Sequence, residues 1–323
     1  MTGGGNLTGA GMSRRAVLVA GAAGIVGAAS LLGPRLLGRP SGAAPSATPA
    51  SAPILTPSPA NPVPSTVATP SPALGDRAGA VAEVEAQVAA HLAGTRTHAA
   101  VAVVDRVTGT ALTVNGTTRF RTASIVKVDI LAALMLHQQR NGTTLTKSQQ
   151  DLARPMITMS DNAAASRLWQ QIDAATGLLA ANRMLGMTET TPGTGGAWGV
   201  TTTTVADQRR LLQAVTDPAG PLSAGHREYL LYLMGHVIDS QDWGVPAAAT
   251  PQTTARQVKN GWMPFTAQNG RWTVNSIGRI VEPGHDWLAV VLSDRNPSQG
   301  AGITTVEAAV RLAINGLRTA TTG

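Results

Sequence analysis

Ser124 and Lys127 stand three residues apart at the head of the apolar run Ile130-Leu131-Ala132-Ala133-Leu134-Met135-Leu136. On a helix, positions i and i+3 share a face, so this spacing brings a hydroxyl beside an amine. An amine whose pKa is lowered by burial near a second cation can take the hydroxyl proton and leave a nucleophilic oxygen. Arginine could not do so, because it stays protonated. The spacing is equally that of a helix-capping serine followed by a surface lysine, so the chemistry needs further residues to support it.

Two further clusters supply them. Ser160-Asp161-Asn162 follows Pro155-Met156-Ile157-Thr158-Met159 and precedes an alanine-rich stretch, which places it in a turn between helices. Asp161 is read there as holding the turn through bonds to neighbouring backbone. Lys259-Asn260-Gly261 falls on a predicted strand in the C-terminal third. The chain writes arginine almost everywhere and has only three lysines, Lys127, Lys147 and Lys259, two of which sit in these clusters.

The order S-x-x-K, S-D-N, K-x-G resembles the serine β-lactamases and penicillin-binding proteins, whose usual third motif is K-T-G. Met156 to Asn162 looks most like class A. The resemblance covers roughly residues 80 to 318. It implies an α/β fold in which a five-stranded antiparallel sheet packs with helices beside a helical subdomain, with the site at their junction. Carried onto this chain, it makes Ser124 the acylated nucleophile, Lys127 its base, Ser160 a proton-relay hydroxyl and Asn162 a contact to the substrate amide. Lys259 would favour a substrate carboxylate and the relay, Asn260 could donate to that carboxylate, and Gly261 completes the motif. The backbone N–H groups of Ser124 and Trp262 would form the oxyanion hole. The implied substrate is a small β-lactam or a peptidoglycan-derived amide or ester, bound without cofactor or metal by a monomer.

The chain also departs from that pattern. Class A enzymes deacylate with a glutamate on a loop that would begin here near Leu185-Gly186-Met187, and an ungapped count from Ser160 puts Gly196 at its place. Glu189 is the nearby carboxylate and reads as a surface residue at a turn. Asn260 replaces the hydroxyl residue of K-T-G. Trp198 and Trp262 flank the cleft in sequence and could line an acyl side-chain pocket, Trp262 being the stronger candidate. A different-class alternative follows: a penicillin-recognising or cell-wall-binding module without efficient deacylation.

These motifs must be positioned by the elements around them. Helical spacing runs over Ala78–Leu92, and Ala99–Asp105 with Ala111–Val114 flank Thr108-Gly109 as a hairpin. Helices are predicted at Ile125–Leu136, Lys147–Ile157, Ala163–Ile172, Thr176–Leu185, Val205–Val215 and His226–Ile238. Strands return at Gln257–Lys259, Trp272–Val281 and Trp287–Ser293, and Thr305–Leu317 closes as an amphipathic helix.

Ahead of this domain, assigned to residues 76–323, the composition changes. Ser13-Arg14-Arg15 and the uncharged stretch Ala16–Gly33 have the layout of an export signal of twin-arginine type, with a candidate cleavage site at Ser41-Gly42-Ala43. If retained, residues 16–33 would be a membrane tether. Residues 44–75, rich in Pro, Ser, Thr and Ala and free of charge, read as an extended linker. The expected location is therefore extracellular, cell-wall associated or membrane-anchored. With the four leader arginines set aside, the remaining domain carries a net charge of only +3, which gives no nucleic-acid footprint. The absence of cysteine excludes disulfides, thiolate metal sites and a lipidated cysteine. His91, His98, His137, His226, His236 and His285 show no metal-ligand spacing.

Overall fold

Ala99 to Val104 is apolar without alternation, the pattern of a strand covered on both faces. The computed structural model describes residues 74–95 and 97–322, and this segment is the second strand in from one edge of its main sheet. The strands are β1 (His98–Asp105), β2 (Ala111–Val114), β3 (Phe120–Arg121), β4 (Thr202–Thr203), β5 (Ala255–Phe265), β6 (Arg271–Glu282) and β7 (His285–Asn296). Five of them form an antiparallel sheet in the order β2-β1-β7-β6-β5, while β3 and β4 pair separately.

Side chains alternate across a strand, and the sheet divides its residues accordingly. Ala99, Val101 and Val103 of β1, with Trp287, Ala289 and Val291 of β7, face the layer built from α1 (Leu74–Gly94) and α8 (Gln299–Thr322). Ala100, Ala102 and Val104, with Leu288, Val290 and Leu292, face the helical side. That side comprises α2 (Val126–Arg140), α3 (Lys147–Thr158), α4 (Asn162–Gln171), α5 (Ala174–Met184), α6 (Val205–Thr216) and α7 (Ala224–Met234). Residues 126 to 136 of α2 are all buried, as expected of a helix that is apolar all round. Lys127 and Asp129 are buried with them.

The expected fold is therefore present, with differences at particular elements. β5 runs over eleven residues instead of the predicted three, and carries Asn260, Gly261 and Pro264 within it. An edge strand tolerates such residues, since one side of its backbone needs no ladder partner, and Pro264 pairs with Trp272. α7 stops at Met234 with Gly235 as its C-cap, short of the predicted Ile238. α1 begins at Leu74 and α8 at Gln299, both earlier than their periodicity indicated. The predicted export segment (1–43), its candidate tether (16–33) and the linker up to residue 73 lie outside the described residues. Among the described residues, no helix is long and apolar enough to cross a membrane.

Candidate active site

Ser124 lies on a single 3-10 turn, Ala123–Ile125, that leads directly into α2. The residue before it, Ala123, has φ of 47°, a left-handed conformation that costs an L-residue about 1–2 kcal/mol. The surrounding structure holds it there. Asn275 on β6 donates its amide to the carbonyls of Arg121 (2.8 Å) and Thr122 (3.0 Å), and Thr122 N–H donates to Thr201 O (2.8 Å). Gly261 on β5 closes the other side. A Cβ at that position would stand 2.6 Å from Thr122 O and 2.8 Å from Ser124 N, so only glycine lets the edge strand approach the serine turn this closely.

Lys127, the second residue of α2, is fully buried. Its Nζ lies 3.0 Å from Ser124 Oγ, 2.9 Å from Ser160 Oγ, 2.5 Å from Ser160 O and 2.8 Å from Asn162 Oδ1. Burial brings its pKa down to about 7, against the opposing pull of Asp161. An amine near neutrality within hydrogen-bond reach of a hydroxyl meets the geometric and the titration requirement for a general base.

Asp161 caps α4, accepting from Ala164 N–H at 2.7 Å. The preceding Ser160 has φ of 58°, and Asp161 N–H bonds Pro155 O at 3.1 Å. This turn aims both the Ser160 hydroxyl and the Asn162 amide at Lys127.

Lys259 is also fully buried, with no carboxylate at its amine among the described residues. Burial, and then the neighbouring Lys127, push its pKa well below the ordinary lysine value. Its Nζ bonds the Asn260 carbonyl (3.0 Å) and Gln241 Oε1 (3.5 Å), not Ser160 as a direct relay would require. Gln241 was missed in the sequence. It lies in a 3-10 turn after α7, and its Nε2 donates to Met159 O at 2.9 Å, so it bridges the S-D-N turn and Lys259. Asn275 was missed as well, since nothing in a strand's pattern marks one polar residue as a clamp.

Two expectations need correction. Asn260 and Trp262 alternate with Lys259 and Gly261 along β5, so their side chains leave by the opposite face. Asn260 donates both amide hydrogens, to Gln241 O (2.8 Å) and Trp243 O (3.0 Å), and retains none for a substrate carboxylate. Its work is to anchor the 241–243 segment. The Trp262 ring packs edge-on against Trp243, with centroids 5.9 Å apart, beside the α1/α8 core, so only its backbone is placed for the cleft. The tryptophan whose ring meets the site is Trp198, which lies over Lys127 Nζ at 5.0 Å from the ring centroid.

Glu189 is directed elsewhere. Its carboxylate pairs with Arg119 at 2.5 Å and is half-exposed, while its N–H donates to buried Asp207 at 2.7 Å.

Fold and motifs together define the class: the chain belongs to the beta-lactamase enzyme family, whose model matches residues 135–317. That span contains the S-D-N and K-x-G clusters and begins after Ser124 and Lys127. Among individual proteins, the chain is 27% identical over 217 residues to LppW of Mycobacterium tuberculosis, a candidate lipoprotein by name, covering 65% of this chain and 68% of that one. The fold is similar to that of PBP-A (TM-score 0.64, 19% identity, 73% of this chain and 96% of that one). It is likewise similar to a class A beta-lactamase from Mycobacterium abscessus (TM-score 0.62, 18% identity, 73% and 99%).

Proposed function

We propose that this chain is an exported serine hydrolase, acylated at Ser124 by β-lactams or by peptidoglycan-type amides or esters. The observation that carries the reading is the buried Lys127 amine, with a pKa near 7, 3.0 Å from Ser124 Oγ. Lys127 takes the Ser124 proton as Oγ bonds the substrate carbonyl carbon. The developing oxyanion faces the backbone N–H groups of Ser124 and Trp262. The C–N or C–O bond then breaks, and the leaving atom takes a proton delivered through Lys127 and the Ser160 hydroxyl. Water adds to the resulting ester, the acid departs, and Ser124 regains its proton. Asn162 Oδ1 accepts from Lys127, which turns its amide nitrogen toward a substrate acceptor, and Lys259 offers positive potential for a substrate carboxylate.

A second reading, a module that acylates but releases its acyl group slowly or not at all, is favoured by the pairing of Glu189 with Arg119. Export rests on Arg14-Arg15 and the stretch 16–33. The relative's name points to lipidation, but this sequence has no cysteine to carry a thioether-linked lipid.

The test incubates the full chain with a chromogenic cephalosporin and follows colour and intact mass together. The expected result is a covalent adduct, with or without turnover, that is lost in Ser124→Ala. An adduct or turnover that survives Ser124→Ala would show that another residue is the nucleophile.

A further inference from the structure

The loop between α5 and β4 brings Trp198 to the reacting groups. Its base is stitched to the nucleophile segment: Thr191 bridges Thr202, and β4 pairs with β3 two residues before Ala123. Within the loop, Gly193 sits where a Cβ would meet Ala197 O at 2.1 Å, and Gly195 and Gly196 adopt positive φ, so the chain turns sharply before Trp198. The short turn Trp198–Val200 then packs against Ala123–Ile125. The indole is pegged by its own N–H, which donates to Ser166 Oγ on α4 at 3.2 Å.

Four oxygens from Ser124, Ser160 and Asn162 surround the Lys127 amine, and the Trp198 ring lies over it. Hydrolysis of an acyl-serine needs a water beside the ester carbonyl and a base to take its proton. Among the described residues no carboxylate bonds Ser124 or Lys127, Glu189 pairs with Arg119, and the position beside the amine is filled by a ring that neither accepts a proton nor holds a water in place.

The geometry points to Trp198 as a positioning residue that shields the acyl-serine from water and so sets the lifetime of the Ser124 ester. This rests on acylation at Ser124 as proposed above. It assigns the slow step to deacylation and identifies the side chain responsible. The substrate class best suited to such a site is a β-lactam or peptide acyl donor that remains attached long enough for intact mass to record it.

The experiment uses the full chain and measures two rates by intact mass with benzylpenicillin: adduct formation, and adduct loss after excess ligand is removed. Trp198→Glu places a carboxylate next to Lys127, and adduct loss is expected to accelerate about ten-fold or more, while formation near pH 7 slows because the added charge holds the Lys127 proton. Trp198→Phe keeps an apolar ring and retains a long-lived adduct. Ser166→Ala removes the peg from outside the reacting groups and shortens the lifetime by a smaller factor; it decides the matter if Trp198→Glu does not fold, as monitored by thermal unfolding. Equal adduct lifetimes in the wild type, Ser166→Ala and a folded Trp198→Glu would overturn the assignment while leaving acylation at Ser124 standing. A wild-type chain that forms no Ser124 adduct would sink the acylation reading, and this one with it.

Discussion

Among the described residues, two clusters of buried ionisable groups are treated in opposite ways. Where β1, β6 and β7 meet, carboxylates are held charged. Burial would raise the pKa of Asp105, but bonds from Asp286 N–H, His285, Thr108 and Val107 N–H more than offset it, and the pKa is lowered. Burial of Glu282 is likewise outweighed by Arg318, the Trp287 indole N–H and Thr250. Asp286 accepts from both Arg106 and Arg279. On α2 and β5 burial prevails: Lys127 falls to about 7 and Lys259 well below its ordinary value at the site, and further along α2 Asp129 rises to about 8 despite a weak bond from Gln208, with Asp207 adding to the rise. The first cluster satisfies its charges and closes the sheet. In the second, hydrogen bonds reach the amines but do not offset the burial of their charge, which is how a site obtains a base that works near neutrality.

The contrast gives graded predictions. Lys127→Met should lower acylation by about 10²–10⁴-fold while making the fold more stable. Because the folded pKa of Lys127 lies below its unfolded value, the unfolded chain binds the extra proton. The lysine therefore detracts from stability at acidic and neutral pH, and that loss is recovered as pH rises from about 7 to about 10.5. A gain of about 1–3 kcal/mol at pH 6, vanishing above pH 10, is expected from urea unfolding. A destabilised variant at pH 6 would break the comparison.

Asp105→Ala should act in the reverse sense, reducing stability by about 2–4 kcal/mol because it strands the N–H groups of Asp286 and Val107. Acylation per folded molecule should be little affected. Asp129→Asn tests the third buried group. The folded carboxyl keeps its proton up to about pH 8, whereas the unfolded one loses it near pH 4. Wild-type stability should therefore fall from pH 5 to pH 8, and the variant should lose that slope and gain about 1–3 kcal/mol at pH 7. The smallest effect is expected from Asp161→Asn, which keeps an N-cap but removes the charge that holds the Lys127 pKa up. The midpoint of its acylation profile should move below that of the wild type by less than about one pH unit.

Much of this arrangement was legible in the sequence, for identifiable reasons. The Thr108-Gly109 turn between two apolar runs places β1 beside β2, and the scarcity of lysine isolates Lys127 and Lys259. Spacing on a helix brings Ser124 to Lys127, and the S-D-N turn adds Ser160 and Asn162. Gly261 reads as a motif letter, but its physical meaning, a close passage of β5 past Ser124, needs three dimensions. Side-chain direction on β5 could not be read because the predicted segment Gln257–Lys259 is too short to show an alternation, and so Asn260 and Trp262 were expected in the cleft that their side chains leave. Gln241 and Asn275 act through backbone carbonyls of distant segments, for which no local pattern exists. Trp198 lies in a glycine-rich loop without periodicity, so only the path of the chain shows its ring above the amine.

Activation of Ser124 as proposed turns on Lys127 acting as the base, with Ser160, Asn162 and Trp198 at its amine and Asp161 and Lys259 within electrostatic reach. The most direct measurement is the rate of Ser124 adduct formation with benzylpenicillin across pH 5 to 10, followed by intact mass on the full chain. The account predicts a rate that rises as Lys127 loses its proton, with a midpoint near pH 7. A rate that is flat across this range, or that rises only near the ordinary lysine value of about 10.4, would contradict it.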